Sequence, residues 1–266
     1  MTANFPPYDA PRTIQELVGV ALTAANDDTA WDAVRSLHEK GNRDVLQIAK
    51  LMSRSEHPAE RRLAADILGQ LGLPYRTFPE ESVAILVQML TTEEDEAVLK
   101  SIFIAFSHLN EIRVIPLAAA FSTHLSAEVR FAVALAVMGL EDQRAIDLLI
   151  RLSTDCDSKV RDWATFAIGT FSEIDTPEIR DALVTRLNDS DEDVRDEALV
   201  GLARRGDQRV IEPLERELSG ECVGRLAVEA AEWIGSLQLR AALLTLRDWW
   251  DIDTELLERA IAKSQE

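Results

Sequence analysis

Residues 188–218, NDSDEDVRDEALVGLARRGDQRVIEPLEREL, decide the fold because most of the chain from residue 57 onward repeats their pattern. In the first half, the apolar residues Val194, Ala198 and Leu202 follow one another at intervals of four residues, which places them on one face of a helix. A second apolar stripe follows Gly206 and ends at Leu218, and glycine readily adopts the left-handed backbone conformation that ends a helix. The stretch therefore predicts a hairpin of two amphipathic helices.

Two columns of residues indicate that this hairpin recurs along the chain. The first-helix column has steps of 31 to 38 residues and consists of Arg61, Leu99, Arg130, Arg161 and Arg195. The second-helix column has steps of 31 to 35 residues and consists of Leu86, Leu117, Leu148, Leu183 and Leu214. A period of roughly 20 to 50 residues with two helices in each period is typical of a solenoid, since one hairpin cannot bury its apolar face without a neighbour.

The motif Asp-Ser-Asp-x-x-Val-Arg at residues 189–195, followed by small residues at Ala198 and Ala203, resembles a HEAT repeat. More narrowly, it resembles the short bacterial subtype of phycobilisome lyase subunits. The resemblance is good over residues 57–220 and looser over the flanking segments 27–56 and 221–250. It implies an all-α protein whose fold is an α-solenoid, a right-handed superhelix of about seven HEAT-like helical hairpins.

The repeat pattern predicts that residues 13–263 form a single solenoid domain. We expect an N-terminal cap and degenerate first repeat over 13–56, regular repeats over 57–220, and a degenerate last repeat with a C-terminal cap over 221–263. Residues 1–12 contain three of the nine prolines and predict a flexible tail.

Local signals predict several helix ends. Thr13 with Glu16, and Thr77 with Glu80, have the spacing of capping boxes, in which two side chains bond each other's terminal amides. Pro58 predicts a helix over residues 58–70, because proline is tolerated in the first helical turn. We expect a last helix over residues 254–263, and each of the four histidines at the surface or at an edge of the fold.

In HEAT-like repeats, a turn aspartate and an arginine hydrogen-bond between adjacent units, so the resemblance implies a ladder of such contacts here. Its members are Asp155, Arg161, Asp189, Arg195, Arg130 and Arg61. Two of the arginines, Arg161 and Arg195, follow an aspartate at a spacing of six residues. Leu99 stands in the arginine column, and Glu93 and His124 stand at the aspartate position. We therefore expect the repeat that contains Leu99 to lack the ladder contact and to be held by packing alone.

The composition excludes some classes of partner. The chain has 47 acidic and 28 basic residues, a net charge of −19, which disfavours nucleic acid because such binding depends on cations that contact phosphates. A basic protein is the partner that this charge favours, although acidity also serves solubility. The longest uncharged stretch within the repeats, residues 114–127, is too short to span a membrane and contains Pro116. With two cysteines and no basic, apolar leader, the chain is expected in the cytoplasm.

Motifs that carry chemistry are lacking. The sequence has no HExxH, CxxC, GxSxG or glycine-rich phosphate loop, so we predict no catalytic, cofactor-binding or metal-binding residue. HEAT-like di-iron hydroxylases need several His-Glu dyads, and this chain has one, His38-Glu39. Trp163, Trp233 and Asp162 have the residue types of HEAT-like DNA glycosylases, but the acidic charge lacks phosphate anchoring. A subunit of a bilin lyase-like or other enzyme is the remaining enzymatic alternative.

We therefore predict a non-enzymatic protein-protein interaction module, a scaffold or adaptor that binds another protein on its concave face. An immunity-type neutraliser of a basic toxin is an alternative within this class. The candidate partner-binding residues project from second helices or lie near the C-terminus, and are Gln88, Arg151, Thr185, Arg186, Arg216, Glu217, Trp249 and Trp250. Of the two tryptophans, at most one can be fully inside, because adjacent helical residues point about 100° apart. The oligomeric state does not follow from the sequence, and a monomer is favoured.

Overall fold

The computed structural model describes residues 12–265 and contains sixteen α-helices and no strand within that range. The first six helices are α1 (Ile14–Thr23), α2 (Asp27–Lys40), α3 (Arg43–Met52), α4 (Pro58–Gln70), α5 (Pro79–Leu90) and α6 (Glu96–Leu109). The others are α7 (Ile115–Phe121), α8 (Ala127–Val137), α9 (Gln143–Leu152), α10 (Ser158–Phe166), α11 (Pro177–Arg186), α12 (Glu192–Arg204), α13 (Ile211–Leu218), α14 (Arg225–Ile234), α15 (Arg240–Leu246) and α16 (Thr254–Lys263). The expected all-α fold of helical hairpins is confirmed, whereas most of the expected tail, residues 1–11, lies outside the described residues.

The chain divides into two compact units, an N-terminal unit that ends at Leu109 and a C-terminal unit that begins at Asn110. In the N-terminal unit, the first helices α2, α4 and α6 pack side by side, and α3 and α5 are the second helices. In the C-terminal unit, α8, α10, α12 and α14 form the first-helix layer, and α7, α9, α11, α13 and α15 form the second-helix layer. That the two units continue as one solenoid over residues 13–263 stays a prediction.

Each layer buries the apolar stripes that the repeat predicts. Val194, Ala198 and Leu202 are buried on α12, and Leu214 and Leu218 are buried on α13. Burial of one such side chain contributes about 1.5–3 kcal/mol relative to leaving it in water, so neighbouring hairpins gain most of their stability from each other. Within the described residues, no helix combines the length and apolar character needed to cross a bilayer.

Several predicted helix ends are confirmed. Thr13 and Glu16 form the expected capping box, α4 spans Pro58–Gln70, and α16 spans Thr254–Lys263. The expected capping box at Thr77 is wrong. The N-cap of α5 is Phe78, and the Thr77 hydroxyl instead donates to the carbonyl of Gly41 at 2.6 Å. This hydroxyl therefore ties the turn before α5 to the turn that ends α2.

One histidine departs from the expected surface position. His38 is buried at 4% exposure, and its Nε2 lies 2.9 Å from the carbonyl oxygen of Asp66. Burial lowers the pKa of His38, so the neutral ring is favoured inside the fold. The His38-Glu39 dyad thus contributes a structural contact between α2 and α4.

Glycines allow neighbouring first helices to approach closely at two places. On α4, a Cβ on Gly69 would lie 2.8 Å from the Cα of Ala105 on α6. On α12, a Cβ on Gly201 would lie 2.6 Å from the Cα of Gly169, in the π-helical turn Ala167–Phe171 that continues α10. Because the obstacles are backbone atoms, these helices can accommodate a side chain only by moving apart.

We predict that Gly201→Ala destabilises the protein by about 1–3 kcal/mol, the usual cost of overpacking. Gly19→Ala is the matched control, because Gly19 also lies within a helix, α1, and its Cβ would meet no atom within 4 Å. Alanine in an open helical position should stabilise by up to about 1 kcal/mol. Urea unfolding curves measure both effects, and equal stability of the two variants would contradict the close approach.

Candidate functional site

Within the described residues, three of the turns between successive repeats are held by bidentate ion pairs, which we call rungs. The guanidinium of Arg130 donates from Nε and Nη2 to the two carboxylate oxygens of Asp155, each at 2.7 Å. Arg161 binds Asp189 in the same way, at 2.9 and 2.7 Å. Each pair joins the first helix of one repeat to the turn of the next. The carboxylate of each rung is therefore supplied by the following repeat, and not by the residue six positions before the arginine.

The same arginines also bond the main chain of their own turn. Arg130 donates from Nη1 to the carbonyl of His124 at 2.8 Å, and Arg161 donates from Nη1 to the carbonyl of Asp155 at 3.0 Å. Arg195 makes the equivalent contact to the carbonyl of Asp189 at 3.0 Å. The spacing of six residues seen in the sequence thus corresponds to a carbonyl contact within one repeat.

A rung also forms where the sequence suggested a departure. Glu93, which replaces the turn aspartate, accepts two hydrogen bonds from Arg61, at 2.7 and 2.8 Å. His124, at the same position in a later repeat, accepts from the amide of Ser126 through Nδ1 at 3.1 Å. Asp155 accepts from the amide of Asp157 at 2.9 Å. His124 therefore preserves the turn but supplies no negative charge. The side chain of Leu99, at the arginine position of the preceding repeat, has no hydrogen-bond donor and is buried.

The rungs keep their carboxylates ionised. Burial by itself would raise the pKa of Asp155, but the hydrogen bonds and charge of Arg130 together with the hydrogen bond from the Asp157 amide outweigh it, so the pKa lies below its usual range. The pKa of Asp189 is lowered in the same way, by Arg161 against the effect of burial. Both ion pairs therefore persist at neutral pH.

Arg186, expected to project towards a partner, is instead bound within the fold. Its Nη1 donates to the carbonyl of Ser153 at 2.8 Å and lies 3.2 Å from Oδ2 of Asp189. Its side chain is only 14% exposed. The expectation for Arg186 was wrong because the Asp189 carboxylate, which already binds Arg161, draws it towards the inter-repeat turn.

The other predicted second-helix residues lie at the surface. Gln88, Arg151, Thr185 and Arg216 are exposed, and Glu217 is half-buried. Gln88 borders a groove of about 910 Å³ between α3 and α5, whose wall also includes Lys50, Arg54 and Ile85. These exposed side chains stay available for a partner because no inter-repeat rung uses them.

The adjacent tryptophans near the C-terminus differ in environment as expected, but they lie in the turn after α15 and not in a helix. Trp250 is 3% exposed, and its Nε1 donates to the carbonyl of Val223 at 2.8 Å. Trp249 is 47% exposed and lines a pocket of about 430 Å³ together with Glu221. Trp250 therefore closes the core, and only Trp249 can meet a partner.

Sequence reasoning missed three carboxyl groups of the C-terminal unit whose pKa values are raised. Burial raises the pKa of Asp162 to about 6, and burial raises those of Asp196 and Glu197 to about 7. Oδ1 of Asp196 has no hydrogen-bond partner within the described residues. The sequence signal was that Asp162 and Asp196 each follow an arginine of the first-helix column, beside the buried stripe.

Sequence reasoning also missed a continuous set of aromatic rings in the C-terminal unit, which we call the aromatic row. It consists of Phe131 on α8, Trp163 and Phe166 on α10, and Phe171 in the π-helical turn. Successive ring centroids are 5.6, 5.9 and 6.0 Å apart. A step of about one repeat between Phe131 and Trp163 was the available signal.

Within residues 12–265, no group of three or more His, Cys, Asp or Glu side chains is placed to hold a metal ion. Cys156 and Cys222 are free and exposed.

The fold and the inter-repeat turns together define a HEAT-repeat protein. The pattern of HEAT repeats matches residues 14–107 and 150–230, and the pattern of the PBS lyase HEAT-like repeat matches residues 129–155. The chain belongs to the HEAT-repeat family.

Among its relatives is Protein YibA of Escherichia coli (strain K12), which is 30% identical over 238 residues, covering 87% of this chain and 84% of YibA. The X-ray structure of E. coli YibA superimposes with a TM-score of 0.80 at 28% identity, covering 95% of this chain and 92% of that one. A crystal structure of an engineered protein, at 18% identity and a TM-score of 0.57, shares the fold and covers 94% of this chain and 77% of its own.

The rungs predict a difference between two equivalent substitutions. Arg130→Met leaves Asp155 as a largely buried carboxylate without its partner and should cost about 3–5 kcal/mol. Arg161→Met should cost less, because Arg186 still contacts Asp189. Chemical denaturation measures both, and an equal loss would show that Arg186 does not support the rung.

The raised pKa of Asp196 predicts that the substitution Asp196→Asn stabilises the protein in a pH-dependent way. The pKa of Asp196 in the folded state, about 7, lies above the ordinary value of 3.8. Between these two pH values the folded chain binds a proton that the unfolded chain has lost. The stability of the wild type therefore falls as the pH rises through this window. Asp196→Asn removes that loss. Its melting temperature should equal that of the wild type near pH 4 and exceed it by about 2–6 °C above pH 7.

Asp251→Asn, at an exposed carboxylate, serves as the control and should show no such difference. Asp196 also lies beside Gly224, the N-cap of α14. A lower melting temperature of Asp196→Asn above pH 7 would mean that the charge stabilises this helix end, and it would contradict the prediction.

Proposed function

We propose that this HEAT-repeat protein is a non-enzymatic interaction module that binds a basic protein through its second-helix face. The observation that carries the proposal is the use of arginine in the C-terminal unit. From residue 110 onward the chain has 31 acidic and 18 basic residues. Twelve of the sixteen arginines there contact a carboxylate of the same chain: Arg113, Arg130, Arg144, Arg161, Arg180, Arg186, Arg204, Arg205, Arg209, Arg225, Arg247 and Arg259.

Internal pairing leaves an excess of carboxylates directed at solvent. Glu178 on α11 and Glu212 and Glu215 on α13 are exposed and form no ion pair within the described residues. They lie on the second helices, near the exposed side chains of Thr185 and Arg216. A surface of this kind accelerates encounter with a basic partner and repels phosphate backbones.

A protein partner also agrees with the shape of the groove in the N-terminal unit. The groove between α3 and α5 combines the apolar side chains of Ala84 and Ile85 with the polar groups of Lys50, Arg54 and Gln88. Apolar contact area with a few hydrogen-bonding groups at its border is typical of protein-protein interfaces. Trp249 offers an aromatic anchor of the kind found at interface hot spots.

The test is affinity capture from native lysate with Glu212→Lys combined with Glu215→Lys. We expect this variant to retain less than about a tenth of the partner captured by the wild type, because like charges oppose encounter and binding. Mass spectrometry identifies the partner and its isoelectric point.

Glu56→Lys with Glu94→Lys is the control, since it makes the same change of charge at exposed residues of the N-terminal unit. It should retain capture. Equal loss in both variants would indicate a general effect of charge, and capture of an acidic partner would contradict the proposal.

A further inference from the structure

The aromatic row lies on the first-helix layer of the C-terminal unit, away from the second-helix residues considered above. Its exposure increases along the row, from Phe131, which is buried, to Phe171, which is half exposed. Phe171 is held against Gly139, where a Cβ would lie 2.7 Å from the ring. The edge-to-face contacts of Trp163 with both neighbouring rings fix its orientation. The rings are therefore rigid before any partner arrives.

One end of the row already holds a cation. Nζ of Lys159 lies 4.1 Å from the ring centroid of Phe131 and 3.1 Å from a carboxylate oxygen of Glu128. An ammonium group between a ring face and a carboxylate gains both cation-π attraction and ion pairing. This contact shows which chemistry the surface favours.

The middle of the row has carboxylates but no cation. Asp162 lies on α10 four residues before Phe166, so the two side chains are neighbours on the same helix face. Glu197 on the adjacent helix α12 accepts a hydrogen bond from the hydroxyl of Thr170 at 2.9 Å. Neither Asp162 nor Glu197 forms an ion pair within the described residues. Burial and neighbouring carboxylates raise the pKa of Asp162, so its ionised form gains from an arriving positive charge.

We propose that the aromatic row, with Asp162 and Glu197, is a docking surface for a basic polypeptide segment whose arginine or lysine side chains stack on the rings and pair with these two carboxylates. The inference rests on the proposed function in that the partner is basic, and it adds a contact on the first helices. Charge complementarity selects this occupant. A second copy of the chain would bring a strongly acidic surface against another, and phosphates of nucleic acid would be repelled.

The sequence offers a matched pair of variants, because Asp162 and Trp163 on the row, and the exposed Trp31 and Asp32 on α2, are adjacent residues of the same two types. The probe is a synthetic oligoarginine peptide, titrated into the full-length protein by calorimetry at physiological ionic strength. Asp162→Asn with Trp163→Leu should weaken binding by about tenfold or more. Trp31→Leu with Asp32→Asn should leave the dissociation constant within about twofold.

Asp162→Asn alone and Glu197→Gln alone keep the test valid if loss of the Trp163 ring disturbs folding. Each removes one ion pair without removing aromatic packing and should weaken binding by about threefold or more. An oligoglutamine peptide of the same length should not bind. If it bound as well as oligoarginine, the rings would act without charge recognition and the proposal would be overturned.

A second readout is the proton balance. Binding of a cation requires ionised carboxylates, so association near pH 6.5 should release protons, detected as a dependence of the calorimetric heat on the buffer. The groups that face these carboxylates are all acidic: Asp191 and Asp193 for Asp162, and Asp162, Asp196 and Glu229 for Glu197. Binding should tighten as pH rises from about 5.5 to 8 and release fewer protons in Asp162→Asn.

Failure of this inference can be distinguished from failure of the proposed function. If oligoarginine binding is lost in the Trp31-Asp32 variant and kept in the Asp162-Trp163 variant, the docking surface is overturned while a basic partner stands. If the cellular partner is captured equally by both, the row does not contact that partner. If the captured partner is acidic, the proposed function and this inference fail together.

Discussion

The rung between an arginine and the carboxylate of the next turn sets the register on which the repeats depend. Most of the stabilisation comes from stacked apolar faces such as those of α10 and α12, but apolar contact has little directionality and would permit neighbouring hairpins to slide. A planar guanidinium binds one carboxylate through two of its nitrogens and a carbonyl of its own turn through the third. This arrangement permits only one geometry between neighbouring hairpins. A buried ion pair need not stabilise greatly to have this effect, because its broken form is strongly penalised.

The same contacts determine the charge that the C-terminal unit presents to solvent. Arg130 and Arg161 are neutralised inside the inter-repeat turns, and other arginines bind carboxylates near their own helix ends. Acidic side chains with no structural partner remain on both layers, Glu212 and Glu215 on the second helices and Asp162 on the first. The outward charge therefore follows from how the fold is held together, and both binding proposals rely on that relation.

The sequence predicted the all-α repeat fold, because the repeat period of two helices remains recognisable even where single positions differ between repeats. It predicted the ends of α4 and α16, where proline or a cap determines the first turn. It assigned the rung partners less well, since a spacing of six residues along the chain cannot show that the carboxylate reaches back to the preceding repeat.

Arg186 and His38 were misplaced for a related reason. Both polar side chains are drawn inward by acceptors outside their own helix, the Ser153 carbonyl and the Asp189 carboxylate for Arg186 and the Asp66 carbonyl for His38. The aromatic row escaped notice because its rings come from two helices and a π-helical turn, and periodicity along one helix does not reveal neighbours across the layer.

The rungs use a guanidinium, and the chain as a whole has 23 arginines and only five lysines. The lysines are Lys40, Lys50, Lys100, Lys159 and Lys263, and none belongs to a rung. Reagents and acyl donors that attack primary amines would therefore modify the chain without reaching the contacts that set its register. Acylation of Lys159 would instead act on the aromatic row, because it would remove the positive charge above Phe131.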